Sequence, residues 1–210
     1  MEDIRKASGL SNKYFIYRET SMALSQLKLK FFPLTSERWN DFEKLFGDNG
    51  ACGGCWCMWW RLKRSPYEEQ KGAGNKKSIK KIVNSGAVPG ILAYEDTNPI
   101  GWCAIEPRES YVLLENSRVL KRIDNEKVWS VVCFFVDRKY RRKGVTEKLL
   151  VAALKHARKN KAKIVEGYPI DSKNTPSAFA WTGFASAFLK VGFKEVHRGS
   201  PTRPIMRYYL

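Results

Sequence analysis

Residues 128–168 read VWSVVCFFVDRKYRRKGVTEKLLVAALKHARKNKAKIVEGY, and this stretch decides the fold. Val128 to Val136 is a near-continuous apolar run bounded by polar residues, the pattern of a strand buried on both faces. Asp137 to Thr146 is basic and carries Gly144. Val145, Leu149, Leu150, Ala153, Leu154 and Ala157 then recur at helical spacing, which predicts an amphipathic helix. Lys163 to Tyr168 reads as the next strand, so the stretch forms a βαβ unit with a right-handed crossover.

Upstream, the chain reads strand then helix from Phe31. Thr35 or Ser36 is suited to an N-cap, Trp39, Phe42, Leu45 and Phe46 share one helical face, and Gly47 supplies the stop. Gly50 to Arg61, GACGGCWCMWWR, is glycine-rich and then aromatic, which predicts a constrained loop or short helix. Asn75 is placed to cap a second helix with Ile79, Ile82 and Val83 inward, ending at Gly86. Ile91–Glu95 and Pro99–Glu106 are β-rich and separated by Asp96-Thr-Asn98, a hairpin pattern. Pro107 to Lys127 is a charged, partly helical connection. Downstream, a polar loop from Asp171 to Pro176 precedes an expected helix over Ser177–Val191, stopped by Gly192, and short strands at Phe193–His197 and Ile205–Leu210. The fold class is α+β with a mixed sheet holding one parallel pair.

With 210 residues, 43% of them hydrophobic, the chain suffices for one packed domain over residues 26–210, with residues 1–25 as an N-terminal extension. No stretch approaches the ~20 apolar residues of a membrane span, and no signal-peptide core is present, so a cytoplasmic location without membrane partners is expected. The odd count of five cysteines argues for reduced thiols. A net charge of +17 favours polyanionic partners, although the lysines and arginines lie in scattered clusters rather than one tail.

The loop Arg141-Arg142-Lys143-Gly144-Val145-Thr146 carries the chemistry. A pyrophosphate needs several converging N–H donors, and a helix start supplies unpaired N–H groups at the positive end of its dipole. Gly144 lets the backbone approach an anion, while Arg142 and Lys143 add charge.

Phe134-x-Val136-x-x-x-Tyr140-Arg141-x-x-Gly144-x-Thr146, followed by an amphipathic helix, resembles the signature of the GNAT superfamily of N-acetyltransferases. The likeness spans about residues 27–210 and ends in Gly192-Phe193, like the family's terminal Gly-Phe. It implies a GNAT-like fold that transfers an acetyl group from acetyl-CoA to a primary amine through a direct ternary complex. It also implies that the donor lies in a splay between the strand ending at Val136 and that at Lys163–Tyr168. Phe134, Phe135 and Val136 would bind the pantetheine and polarise the thioester, and Arg141, Arg142, Lys143, Gly144, Val145 and Thr146 would hold the pyrophosphate. Thr146 departs from the usual Gly or Ala.

The family's usual proton-handling residues are replaced: Phe188 stands where relatives often carry Tyr, Ser130 where some carry Glu, and Trp181 where many carry Asn. Glu166 and Tyr168, at the end of the second strand of the βαβ unit, are the remaining catalytic candidates, expected to be exposed by the splay; ion pairing of Glu166 and packing of Tyr168 is the alternative. Cys52-x-x-Cys55-x-Cys57 suits a metal only with a fourth ligand, so no metal is expected; a substrate-pocket wall and core packing remain open. Cys133 reads as packing rather than nucleophile. A small-molecule amine is the expected acceptor, and monomer and homodimer are both compatible. Other readings are a CoA-binding protein without turnover and, on charge alone, a basic nucleic-acid-binding module.

Overall fold

The computed structural model describes residues 28–172, 174–176 and 179–210. The expected N-terminal extension lies outside these residues. Seven strands, β1 (Leu29–Pro33), β2 (Gly90–Glu95), β3 (Asn98–Pro107), β4 (Trp129–Val136), β5 (Ile164–Gly167), β6 (Lys194–Ser200) and β7 (Arg203–Tyr209), form one sheet. Their spatial order is β1-β2-β3-β4-β5-β7-β6. All neighbours are antiparallel except β4 and β5, the parallel pair expected from the βαβ pattern. The helices are α1 (Trp39–Phe46), α2 (Arg64–Glu69), α3 (Ala73–Asn84), α4 (Val112–Glu115), α5 (Val145–Lys159) and α6 (Ala185–Val191).

Each face of the sheet carries a core. On one face, Val145, Leu149, Leu150 and Ala153 of α5 pack with Phe188 of α6 against Ile105, Val131 and Val165. On the other, Trp39, Phe42 and Phe46 of α1 meet Trp56, Met58 and Trp102, with Ile79 and Val83 of α3 behind them. β4 runs between the two cores, which is why its sequence is apolar almost without a break.

Strand β4 contains a bulge. Ala104 pairs with Cys133 and Ile105 with Val131, so Val132 is the extra residue. Val132 and Cys133 consequently turn to the same face, that of the aromatic core, while Val131 and Phe134 face α5. The parallel pairing with β5 lasts only three residue pairs, from Trp129–Val165 to Val131–Gly167, and beyond it the strands part.

Two expected features differ. Asn75 does not cap α3: Gly72 does, at φ 82, and Asn75 lies buried in the first turn with its amide donating to the Gly54 carbonyl at 3.2 Å. Of the expected helix Ser177–Val191, residues 177 and 178 lie outside the described residues, and residues 180–184 are not helical. Gly183 at φ 82 makes a turn, and Phe184, in extended backbone, bridges to Ile170 before α6 begins at Ala185. That bridge takes the backbone groups that continuation of the helix would need.

Candidate functional site

The end of β4 leads through a 3-10 turn, Arg138–Tyr140, to the Arg141–Thr146 loop. The Asp137 carboxylate accepts from the Lys139 amide at 2.8 Å, and the Arg141 Nε donates to the Val136 carbonyl at 2.9 Å, folding the loop back on the strand end. Tyr140 donates to Glu95 at 2.5 Å and fixes the turn to β2. Arg142 and Gly144 both adopt left-handed backbone, at φ 61 and 69. A side-chain carbon on Gly144 would meet nothing nearer than the Glu147 carboxylate at 3.9 Å, so space above the loop is open. No side chain caps the start of α5, and Arg141, Arg142 and Lys143 are exposed around it. Unpaired N–H groups, the positive helix end, three cations and a bare glycine suit a diphosphate.

The bulge positions the second half of the site. The Trp60 indole donates to the Val132 carbonyl at 3.1 Å, and the Phe134 N–H, pointing into the gap beyond the β4–β5 pairing, donates to the Trp181 carbonyl at 2.6 Å. Trp181 stands 5.8 Å from Trp60 and 6.4 Å from Trp59, and Trp59 meets Tyr67 edge-on at 5.1 Å. These three tryptophans, with Cys133 and Phe135, are half-buried at the mouth of the gap. Gly50, Ala51, Gly53, Gly54, Trp56 and Cys57 all have positive φ, which constrains the first part of the loop expected over Gly50–Arg61.

Glu166 and Tyr168 do come together, but not as exposed groups: they are 2% and 0% accessible. Glu166 accepts from Arg207 Nε at 2.7 Å through one oxygen, and from Tyr168 at 2.7 Å and Arg108 at 3.3 Å through the other. The Tyr168 hydroxyl accepts from Arg108 at 2.9 Å and contacts the Ser130 hydroxyl at 2.8 Å. Burial, and then the Glu166 charge, push the Tyr168 phenol well above its ordinary value. Arg108, wholly buried, also donates to Glu115 and to the carbonyls of Leu114 and Leu120, so its five N–H groups are all used. The expectation that the splay exposes this pair is corrected: β5 turns Glu166 inward, where a buried carboxylate needs cations, and Arg108 and Arg207 supply them.

Sequence reasoning missed Arg108, 58 residues before Glu166, and the pair of Arg61 and Glu106 beneath the aromatic wall. The Arg61 guanidinium also lies 4.8 Å over the Tyr111 ring. A usable signal existed: Glu106 and Glu166 both sit in runs that read as strands, where an acid facing a core requires a partner.

The cysteines of residues 52–57 diverge. The Cys55 thiol donates to the Gly50 carbonyl, while Cys57 accepts from the Trp102 indole at 3.2 Å. A hydrogen bond from Cys133 first, then the Arg61 charge and the Trp102 indole, hold the Cys57 thiol below the usual range against the effect of its burial. Among the described residues, no three or more His, Cys, Asp and Glu side chains are grouped to hold a metal ion, and no helix is long and apolar enough to cross a membrane. An open groove of about 760 Å³ runs along α5, past Val151, Lys155 and Lys159, and includes none of the tryptophans at the gap.

A family model described as the acetyltransferase (GNAT) family matches residues 56–184, more than half of the chain. The chain belongs to that family. It is therefore a GNAT acetyltransferase, with acetyl-CoA as the family's acyl donor. No curated protein sequence gives a significant match. Among solved structures, an agmatine N-acetyltransferase mutant in apo form is 11% identical over 87% of this chain and 99% of its own, with a TM-score of 0.54. A putative arylalkylamine N-acetyltransferase from the yellow fever mosquito is 11% identical over 86% of this chain and 87% of its own, with a TM-score of 0.53. The NatC complex bound to a Gag peptide and CoA is 12% identical over 87% of this chain and 98% of the matched one, at 0.50. At these identities the likeness is one of fold.

Proposed function

We propose that this GNAT acetyltransferase transfers the acetyl group of acetyl-CoA directly to the primary amine of a small molecule, with both substrates bound together. The arrangement that carries the reading is the uncapped start of α5 beneath Arg141–Thr146, continuous with the parted ends of β4 and β5. Arg141, Arg142, Lys143, Gly144, Val145 and Thr146 hold the diphosphate. Phe134, Phe135 and Val136 line the path of the pantetheine.

In the reaction the amine nitrogen attacks the thioester carbonyl carbon. A C–N bond forms, the C–S bond breaks, and the nitrogen's proton leaves to solvent as the thiolate takes one up, giving an amide and free CoA. A backbone N–H aimed at the carbonyl oxygen stabilises the charge that gathers there. Phe134 offers such a donor once the Trp181 carbonyl is displaced.

Glu166 and Tyr168 are positioning residues in this reading rather than proton carriers. Their hydrogen-bonding capacity is filled by Arg108, Arg207 and Ser130, and the network fixes β5 against β4 where the two strands part. Titration calorimetry with acetyl-CoA, followed by an amine panel scored by free CoA release, tests the proposal. Saturable binding with amine-dependent release supports it. Binding without release from any amine favours a CoA-binding protein without turnover, a reading kept in view by Phe188 and Ser130. No binding overturns it.

A further inference from the structure

Among the described residues, Arg38, Arg61, Arg108, Arg203 and Arg207 are the arginines that are buried or half-buried. Each except Arg203 has a carboxylate beside it: Glu37 for Arg38, Glu106 for Arg61, Glu115 and Glu166 for Arg108, Asp124 and Glu166 for Arg207. Arg203, the first residue of β7, donates from a terminal nitrogen to the Thr182 hydroxyl at 3.2 Å, its one side-chain hydrogen bond among the described residues. Burial pushes its guanidinium below its ordinary value, and no acid offsets the cost. A half-buried cation with most of its N–H donors unused lacks a counter-ion.

Its place in the fold sets that cation beside the gap. Side chains alternate along β7, so Arg203 shares a face with Ile205, which packs into the aromatic core, and with Arg207, which reaches Glu166. Thr182 follows Trp181, whose carbonyl occupies the Phe134 N–H. Arg203 therefore holds the chain one residue from the group that stands in the thioester's place. Displacement of the Trp181 carbonyl carries Thr182 with it and takes the hydroxyl from Arg203. Binding of acetyl-CoA thus exposes an unanswered positive charge on the aromatic side of the gap.

One guanidinium answers one negative charge. The arginines around it are committed: Arg198 to Asp171 and Glu195, Arg207 to Asp124 and Glu166, Arg108 to Glu115 and Glu166. A phosphate monoester, close to doubly charged at neutral pH, would be left half-neutralised. A carboxylate carries a single charge on two coplanar oxygens, the shape that a guanidinium fork grips with two parallel bonds.

We infer that the acceptor is an amino acid, a small amine that also carries a carboxylate, and that Arg203 binds this carboxylate while the amine faces the thioester at Phe134. Arg203 exchanges no proton, and the covalent step is the one given above. Because the guanidinium is released only when residues 181–183 move, acetyl-CoA binds before the amino acid.

The inference rests on the proposed acetyl transfer, and its test compares acids with their own amides. L-Phenylalanine, L-leucine, β-alanine and 4-aminobutyrate are each set against the matching carboxamide, with O-phosphoethanolamine beside them, using the full chain and saturating acetyl-CoA. The carboxamide makes the neighbouring amine less basic, so reactivity alone favours the amide. The best acid is nevertheless expected to exceed its amide at least about tenfold in kcat/KM for CoA release. Arg203→Met is expected to raise KM for that acid at least about tenfold, with acetyl-CoA affinity by calorimetry within about twofold of the parent; Arg203→Lys, which keeps the charge and loses the fork, falls between the two. Faster release with the amides overturns the carboxylate assignment and leaves acetyl transfer standing. O-Phosphoethanolamine outrunning every acid overturns the match to a single charge. A preference for acids that survives in Arg203→Met overturns the role of Arg203. No release from any acid overturns the inference, and release from other amines of the panel then keeps the acetyl transfer.

Discussion

The Phe134 N–H donates to the Trp181 carbonyl at 2.6 Å across the gap where β4 and β5 part. That donor cannot serve two acceptors well, so a thioester drawn to Phe134 has to displace residues 181–183, and the Trp181 ring then leaves Trp59 and Trp60. Saturating acetyl-CoA is therefore expected to change the intrinsic tryptophan emission. Trp181→Phe keeps the backbone carbonyl but is expected to remove most of that change, with acetyl-CoA affinity within about threefold of the parent. Titrating both proteins while recording emission spectra checks this. An unaltered signal in the variant would show that residue 181 stays in place.

Gly144 has φ 69 and open space where a side chain would begin, so replacing it tests backbone conformation rather than crowding. Gly144→Val is expected to cost about 1–2 kcal/mol through left-handed strain alone. If the loop escapes that strain by leaving the left-handed region, its N–H groups no longer converge, and acetyl-CoA binding weakens at least about tenfold. Urea denaturation gives the first quantity and calorimetry the second. Thr146→Ala, which restores the family's usual small residue, is expected to bind acetyl-CoA within about threefold of the parent.

The unit β4–α5–β5 was legible because each part has its own period: an unbroken apolar run, a helical stripe from Val145 to Ala157, and a short second strand. The basic loop was legible because Gly144 punctuates it. Trp181 was not. The apolar residues of 179–191 permit a helical reading throughout, and only the pairing of Ile170 with Phe184, which no local pattern encodes, stops the helix short. Arg108 was hidden for a related reason. It lies in a charged connection that resembles a solvated surface, and besides two carbonyls of that same connection its burial depends on Glu166 and Tyr168, about 60 residues further along the chain.

The Arg108 network separates positioning from proton transfer. Arg108→Met leaves the Glu166 carboxylate with fewer donors in a buried site and is expected to cost about 3–5 kcal/mol, read from the urea midpoint. Tyr168→Phe removes a hydroxyl that, under the proposed function, gives no proton to substrate. It is expected to lower kcat by less than about tenfold and to leave the pH profile of kcat unmoved, whereas loss of a true acid or base costs ~10²–10⁴-fold. Glu166→Gln is expected to behave likewise in its pH profile. A lost limb in either profile would return that residue to a catalytic role.

At the rim of the same network, Asp124 accepts from both terminal nitrogens of Arg207, at 2.5 and 2.8 Å, and these bonds hold its carboxyl down to about 2. An unfolded aspartate titrates near ~3.9. The folded value is the lower one, so the contribution to stability is complete above about pH 4 and is lost as pH falls towards about 2. The Asp124 side chain is 40% exposed, which limits the contribution to about 1 kcal/mol or less. Asp124→Asn is therefore expected to lower the urea midpoint at pH 6 and to converge on the parent at the acid end. The convergence is specific to this pair because Arg207 retains its second partner, Glu166, in the variant. Urea titrations at about pH 6, pH 4 and pH 2.5 read it directly, and a gap between the two proteins that stays constant across that range would assign the Asp124 contribution to something other than its charge.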